Sequence, residues 1–314
     1  MNFPDKGMML DSIKGSVATA ALFLAYISLP LAGILPGLFV PLPGMYYALK
    51  SGKGVGFAIV LITTALLAII ANPIALMLYL IQGGLISLTL PHFIDKGWGG
   101  MRSIVSGVAV SFFFLLLCVT SAWLLRGVDV HGMILNGINS SISQTVALYE
   151  KSDLKEEDLL TLQQGMKQAG AVVGRIYPAL VLVALGAIAG LNLQLLRRMA
   201  GKINRPLLLA ELNTFRNPDH LVWFVIVPGF ALLIKNTDVS TAALNVLMVI
   251  LALYFVQGLA VAFHLFDRFA IPRFIRITFY FLLTLQPYLA VALAALGIFD
   301  LWGNFRTPKQ QKNL

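Results

Sequence analysis

The sequence is short of charge. Aspartate, glutamate, lysine and arginine make up 12% of its 314 residues, against 58% hydrophobic residues. That is too little polar surface to cover a soluble globule of this size, and a lipid-facing exterior resolves the shortage. Cysteine is almost missing. Cys118, inside an apolar stretch, is the single one, which excludes a disulfide framework and a thiolate metal centre. The four histidines, His92, His131, His220 and His264, are scattered over loops and run ends, so no paired-histidine metalloprotease helix can be drawn. No phosphate-cradling glycine loop occurs either: Gly52-Lys53 is followed by Gly54, and Gly201-Lys202 by Ile203. The Gly-x-Ser-x-Gly elbow of acyl hydrolases is also missing. We therefore expect no catalytic residues, no metal, no cofactor and no enzymatic activity, ATP hydrolysis included. The amino terminus, Met1-Asn2-Phe3-Pro4-Asp5, lacks a short apolar core followed by a small-residue cleavage site, so no removable signal peptide is expected.

What is present is apolar sequence in long runs. They can be drawn at Val17–Leu35, Pro36–Leu49, Val55–Ala71, Pro73–Leu90, Ile104–Leu125, Ile176–Leu196, Leu221–Ile234, Thr241–Phe266 and Phe274–Phe299. A hydrocarbon core about 30 Å thick needs about 20 residues of helix, and most of these runs supply them. Their near-uniform apolarity, without strict alternation, excludes a transmembrane barrel. The second run holds Pro36, Gly37, Pro41, Pro43 and Gly44, which predicts a broken or re-entrant helix. The seventh is short and interrupted by Pro228-Gly229. The expected fold is all-α: a polytopic transmembrane helix bundle of eight to nine spans, a single membrane domain over 1–314. Residues 127–174 would form a small extramembrane helical hairpin, with Gly132–Tyr149 as one arm and Asp153 and Glu156 as a capping box for the other.

The net charge of +9 does not indicate nucleic acid, because the bases cluster at the ends of apolar runs, where they set topology. Their excess on one side, clearest from Arg197 to Arg216, predicts a cytoplasmic amino terminus in the inner membrane. The tail with Arg306, Lys309 and Lys312 fits that orientation poorly, and the parity at one terminus stays open. Met199–His220 combines bases with leucines, as a segment lying on the anionic leaflet would.

Charge is missing from the centres of the clear runs, which argues against proton relays and voltage sensing. Neutral polar residues remain. Gln82, Gln257 and Gln286 each lie in an apolar run and precede glycine or proline. They could converge on an uncharged or zwitterionic ligand, or each could hydrogen-bond to a neighbouring helix for about 0.6 kcal/mol. Asn72-Pro73 reads as a tight turn between spans. Ala21 and Ala25, continued by Ser28 and Ala32, and Gly186 with Gly190 form small-residue faces for internal packing or partner docking. Trp98, Trp123, Trp223 and Trp302 fall near run ends, as interfacial anchors do.

Several stretches resemble the YybS-like family of uncharacterised bacterial membrane proteins, a domain of unknown function. They are Tyr177-Pro178-Ala179, opening a span that ends in Arg197-Arg198; Phe215-Arg216-Asn217-Pro218 with Leu221 and Trp223; Gln257-Gly258-Leu259-Ala260-Val261; and Gly297 through Asp300 to Arg306. The family-motif positions are thus Pro178, Arg216, Pro218, Gly258, Asp300 and Arg306. The family is distantly similar to the substrate-binding subunits of energy-coupling-factor transporters, which have about six spans, fewer than this chain. The resemblance implies a ligand held among helices and a small-residue face, here Ala21 and Ala25, docked on a separate coupling subunit. The expected function is a small-molecule transport or substrate-binding membrane component without its own ATPase. The alternative is a non-transporting scaffold acting through its hairpin and basic cytoplasmic loops. Membrane lipids are expected partners in either case, and the ligand is unspecified.

Overall fold

A computed structural model describes residues 6–29, 32–150, 156–203, 215–303 and 305–306. Among them the secondary structure is helical, with no strand. In chain order the helices are α1 (Lys6–Ser28), α2 (Ile34–Leu38), α3 (Leu42–Ser51), α4 (Lys53–Ile70), α5 (Pro73–Tyr79), α6 (Leu85–Asp95), α7 (Gly100–Arg126), α8 (Val130–Tyr149), α9 (Glu156–Arg198), α10 (Trp223–Ala231), α11 (Thr237–Arg268), α12 (Arg273–Leu285) and α13 (Pro287–Gly303).

Among the described residues, six helices are long and apolar enough to cross a membrane: Lys6–Ser28, Lys53–Ile70, Pro73–Asp95, Gly100–Arg126, Glu157–Arg198 and Thr237–Arg268. The α12–α13 pair would make seven as a single bent span. This falls short of the eight to nine read from the sequence, for physical reasons at three places. Proline divides the second run into five- and ten-residue helices. The seventh run shrinks to the nine residues of α10 around Pro228. The ninth bends by 109°, because Pro287 forces Gln286 into extended backbone (φ −114°, ψ 99°).

The chain forms two compact units, Met1–Val130 with Ala184–Leu209, and His131–Val183 with Ala210–Leu314. In the first, α1 and α4 run in the same direction: Gly15 and Ser16 meet Ile59, and Phe23 shares a buried cluster with Leu67. The chain must return between them. It does so through α2 and α3, which lie back along α1, with Gly37 on Tyr26, Tyr47 on Gly15 and Lys50 bridged to Asp11 at 3.2 Å. Asn72 caps α5 by accepting the Ala75 N–H at 2.7 Å, with Pro73 in the first turn, so the Asn72-Pro73 turn forms as read.

In the second unit α8 packs against the start of α9, Leu135 on Gly174 and Ile142 on Gly170, with His131 3.1 Å from the Tyr177 hydroxyl. Residues 132–149 are helical, within α8. Asp153, of the expected capping box, and all the leucines between 199 and 220 lie outside the described residues. Helices α11 and α13 cross at two glycines. A Cβ on Gly258 would collide with the Leu293 carbonyl, and one on Gly297 with the Tyr254 carbonyl. Lipid gives helices no hydrophobic reason to associate, so close backbone contact supplies the attraction here.

Candidate functional site

Two polar constellations are buried, one in each unit. The first surrounds the break between α2 and α3. The Gly37 carbonyl would normally accept from the residue four positions on, but that residue is Pro41, which has no N–H. The Gln82 side chain donates to it instead at 2.8 Å. Leu42, the natural partner of Leu38, turns its N–H to Phe39, and the Asn192 amide donates to the Leu38 carbonyl at 2.7 Å. Ser87 donates to Pro41 at 3.0 Å. Three side chains from α6, α9 and the turn before α6 thus donate to carbonyls around the break: Gly37, whose i+4 residue is a proline, Leu38, whose i+4 N–H turns elsewhere, and Pro41, which also accepts the Met45 N–H. Gln82 itself sits in a widened turn, Leu80–Gly84, where the Leu85 N–H reaches back to Leu80. Such π-turns recur at functional sites.

Beside this break lies unspent hydrogen-bonding capacity. Thr19, Thr63 and Tyr79 are at most 1% exposed, yet their hydroxyls have no hydrogen-bond partner among the described residues. The α1–α4 register sets Thr19 opposite Thr63, and the Phe23 and Tyr79 rings pack edge to face at 5.4 Å. The Tyr79 hydroxyl is next to Thr63 without hydrogen-bonding geometry between them. Asn192 Oδ1 and the Ser111 hydroxyl in this unit are also unpartnered. Each such group normally costs about 1–3 kcal/mol. Among the described residues, five of the six atoms of this kind fall in one unit, and the sixth is the Tyr254 hydroxyl.

The second constellation centres on Asp300, which is 2% exposed in α13. Its Oδ2 accepts from Arg306 at 2.5 Å and from Gln257 Nε2 at 3.0 Å. Gln257 Oε1 accepts the Asn217 N–H at 2.9 Å, and the Asn217 side chain donates to the Leu253 carbonyl at 3.0 Å. Arg306 also donates to the Phe215 carbonyl at 2.7 Å. The non-helical segment 215–217 is therefore held by side chains of α11 and of the chain beyond α13.

A family model described as a predicted membrane protein (DUF2232) matches residues 17–301. The chain belongs to the DUF2232 family. No curated protein matches it, and no solved structure does. With its apolar helices, this makes it a multi-pass integral membrane protein. The DUF2232 match takes in Asp300, Gln257 and Asn217 and stops short of Arg306.

Within this DUF2232 chain, Gly258, Asp300 and Arg306 belong to one constellation with Gln257. Pro218 lies next to Asn217 and opens the turn leading into α10. Arg216 faces outward and pairs with Asp219 at 3.3 Å. Gln82 lies in the other unit, and Gln286 is exposed at the α12–α13 bend. Ala21 is exposed and Ala25 half-buried. Gly186 has open space where a side chain would go, and Gly190 only a loose contact with Ile104.

Pro178 has a partner that sequence reasoning missed. It interrupts α9, and the Ala179 N–H donates at 2.9 Å to Asn245 Oδ1 while the Asn245 amide donates at 2.8 Å to the Arg175 carbonyl. One side-chain amide on α11 thus bridges an opened helical rung. The Arg175 guanidinium adds bonds to Ser240 and Thr241. Asn245→Leu leaves two backbone groups unpaired, and we expect a loss of about 2 kcal/mol in thermal or denaturant unfolding of the purified protein.

Proposed function

We propose that the chain is a small-molecule transport or substrate-binding component of the cytoplasmic membrane, without catalysis or an ATPase of its own, energised by a separate membrane subunit. The observation that carries this reading is the group of unpartnered hydroxyls of Thr19, Thr63 and Tyr79 beside a broken helix. Polar groups converging inside an apolar wall, next to irregular backbone, are what an uncharged or zwitterionic ligand needs for recognition. Gln82, one turn beyond Tyr79, already serves the broken segment and would couple occupancy to its position. The YybS-like resemblance and the likeness to energy-coupling-factor binding subunits belong to this same reading. So does the cytoplasmic amino terminus, which puts the starts of α1 and α4 on the basic side. Counting the α2–α3 return as a crossing, beside the six long helices and the bent pair, brings the spans to eight.

The test is a thermal-stability screen of vitamins and metabolites on the detergent-purified full chain. A ligand at about a hundred times its Kd stabilises by about 2.7 kcal/mol. The response to any hit is expected to disappear in Thr63→Val and Tyr79→Phe and to survive in Thr284→Val on α12. Without ligand, Thr63→Val is expected to melt higher than the parent, because it removes an unsatisfied group while keeping the shape. A screen with no response, joined to a Thr63→Val variant that melts lower, would remove the reading. The scaffold alternative is favoured by the α8–α9 pair, which leaves Met133, Leu148 and Leu160 uncovered. It expects indifference to every ligand and partners that co-purify through that pair.

A further inference from the structure

Helix α12 does not follow the path of a crossing. It has no buried residue, and Phe274, Ile275, Ile277, Phe281, Leu282 and Leu285 are exposed along it. Its polar residues Arg273, Arg276 and Thr284, with Tyr280, line up three and four apart in a narrow stripe, while Thr278 on the other face turns its hydroxyl to the Phe274 carbonyl at 3.1 Å, so the helix is amphipathic. The middle of that stripe, Arg276 and Tyr280, lies on the end of α11. Tyr280 packs on Phe263 and Phe279 on Phe266, at ring separations of 5.8 and 5.1 Å. The Arg276 guanidinium donates to the carbonyls of Phe266 and Ile271 and pairs with Asp267 at 2.6 Å. The turn between α11 and α12 is fixed by Ala270 in the left-handed region (φ 49°), so α12 cannot extend the axis of α11. Its middle rests on the last turns of α11, whereas α13 runs back along α11 as far as Ile250. The seventeen residues of α13 span about 25 Å, the lower limit for crossing a hydrocarbon core about 30 Å thick.

With α13 crossing and the bend to α12 at 109°, α12 is left near the plane of the bilayer. We infer that α12 is a surface helix, seated at the lipid–water boundary on the side where α11 ends. Its apolar face enters the acyl region, and the exposed Arg268 and Arg273 meet anionic phospholipid headgroups. A basic amphipathic helix with aromatic and aliphatic residues on its other face is suited to this position. The run at Phe274–Phe299 is then one crossing preceded by a membrane-surface segment.

Depth measurement along the helix decides the matter. The single cysteine, Cys118, is replaced by alanine, and a nitroxide is attached in turn at each position from 274 to 285 of the full chain. The protein is reconstituted in vesicles of phosphatidylcholine with phosphatidylglycerol. A surface helix gives oxygen and nickel-chelate accessibilities that oscillate with a period of 3.6 residues about a constant shallow depth. A depth rising steadily from 274 to 285 would mean that α12 is half of a crossing and would overturn the inference. Arg268→Gln with Arg273→Gln is expected to shift the labels at 277 and 281 in phosphatidylglycerol vesicles and leave them unmoved in phosphatidylcholine alone. Equal shifts in both lipids would remove the anionic-headgroup contact.

Discussion

Arg306→Met is expected to cost about 3–5 kcal/mol of stability, because it leaves the buried Asp300 carboxylate with only the Gln257 amide for a partner. The Arg306 side chain is 15% exposed and that of Asp300 is 3% exposed, so water screens the pair poorly. The same substitution releases the Phe215 carbonyl, which Arg306 holds at 2.7 Å, and so loosens the segment that Asn217 ties to α11. Asp300→Leu combined with Arg306→Met should recover much of the loss, since removing both charges leaves no ion uncompensated. Unfolding of the purified protein in a denaturing detergent series, read by tryptophan fluorescence, gives the three values. A single variant as stable as the parent would show that the pair closes nothing.

The second large effect is expected at Gly258. Alanine there must displace the Leu293 carbonyl, which belongs to backbone and cannot turn aside as a flexible side chain would. Overpacking of this kind costs about 1–3 kcal/mol and more where backbone must shift. Valine at the same position should abolish a monodisperse peak in size exclusion. Gly186→Ala is the matched control: nothing stands within 4 Å of its added methyl, and alanine favours a helix over glycine by about 1 kcal/mol. It should be neutral or stabilising in the same melt. Equal losses at both positions would disprove the α11–α13 contact.

The contrast between these glycines shows what the sequence could and could not disclose. Gly186 and Gly190 have the spacing of a helix-packing face, but spacing does not say which face meets a neighbour. The close approach came from Gly258 and Gly297, single glycines on separate helices, and no local pattern pairs them. The broken second run was legible because proline removes N–H groups wherever it stands; the identities of the donors Gln82, Ser87 and Asn192 were not, since they are chosen by packing. Asp300 escaped notice as a buried charge because it directly follows the apolar run, and its partner Arg306 reads as part of a basic tail. Asn245 carried no signal, lying as one amide among many apolar residues. The bend at Gln286-Pro287 was available from proline chemistry alone, yet uninterrupted hydrophobicity on both sides concealed it. Helical class and membrane residence were the readable part, because composition and run length determine them without tertiary contacts.

The donors to the break between α2 and α3 also constrain how the protein can be made. Gln82 lies 45 residues beyond the carbonyl it serves, and Asn192 lies 154 beyond its own. A chain leaving the ribosome therefore carries the Leu38 carbonyl, and a Gly37 carbonyl with only a long bond from the Val40 N–H at 3.4 Å, into the insertion machinery before either donor exists. The α2–α3 segment must wait in a wet environment, or in protein contacts supplied by the translocon, until most of the chain has been synthesised. Truncation ahead of residue 192 would leave this part of the bundle unable to close, however apolar the preceding helices are.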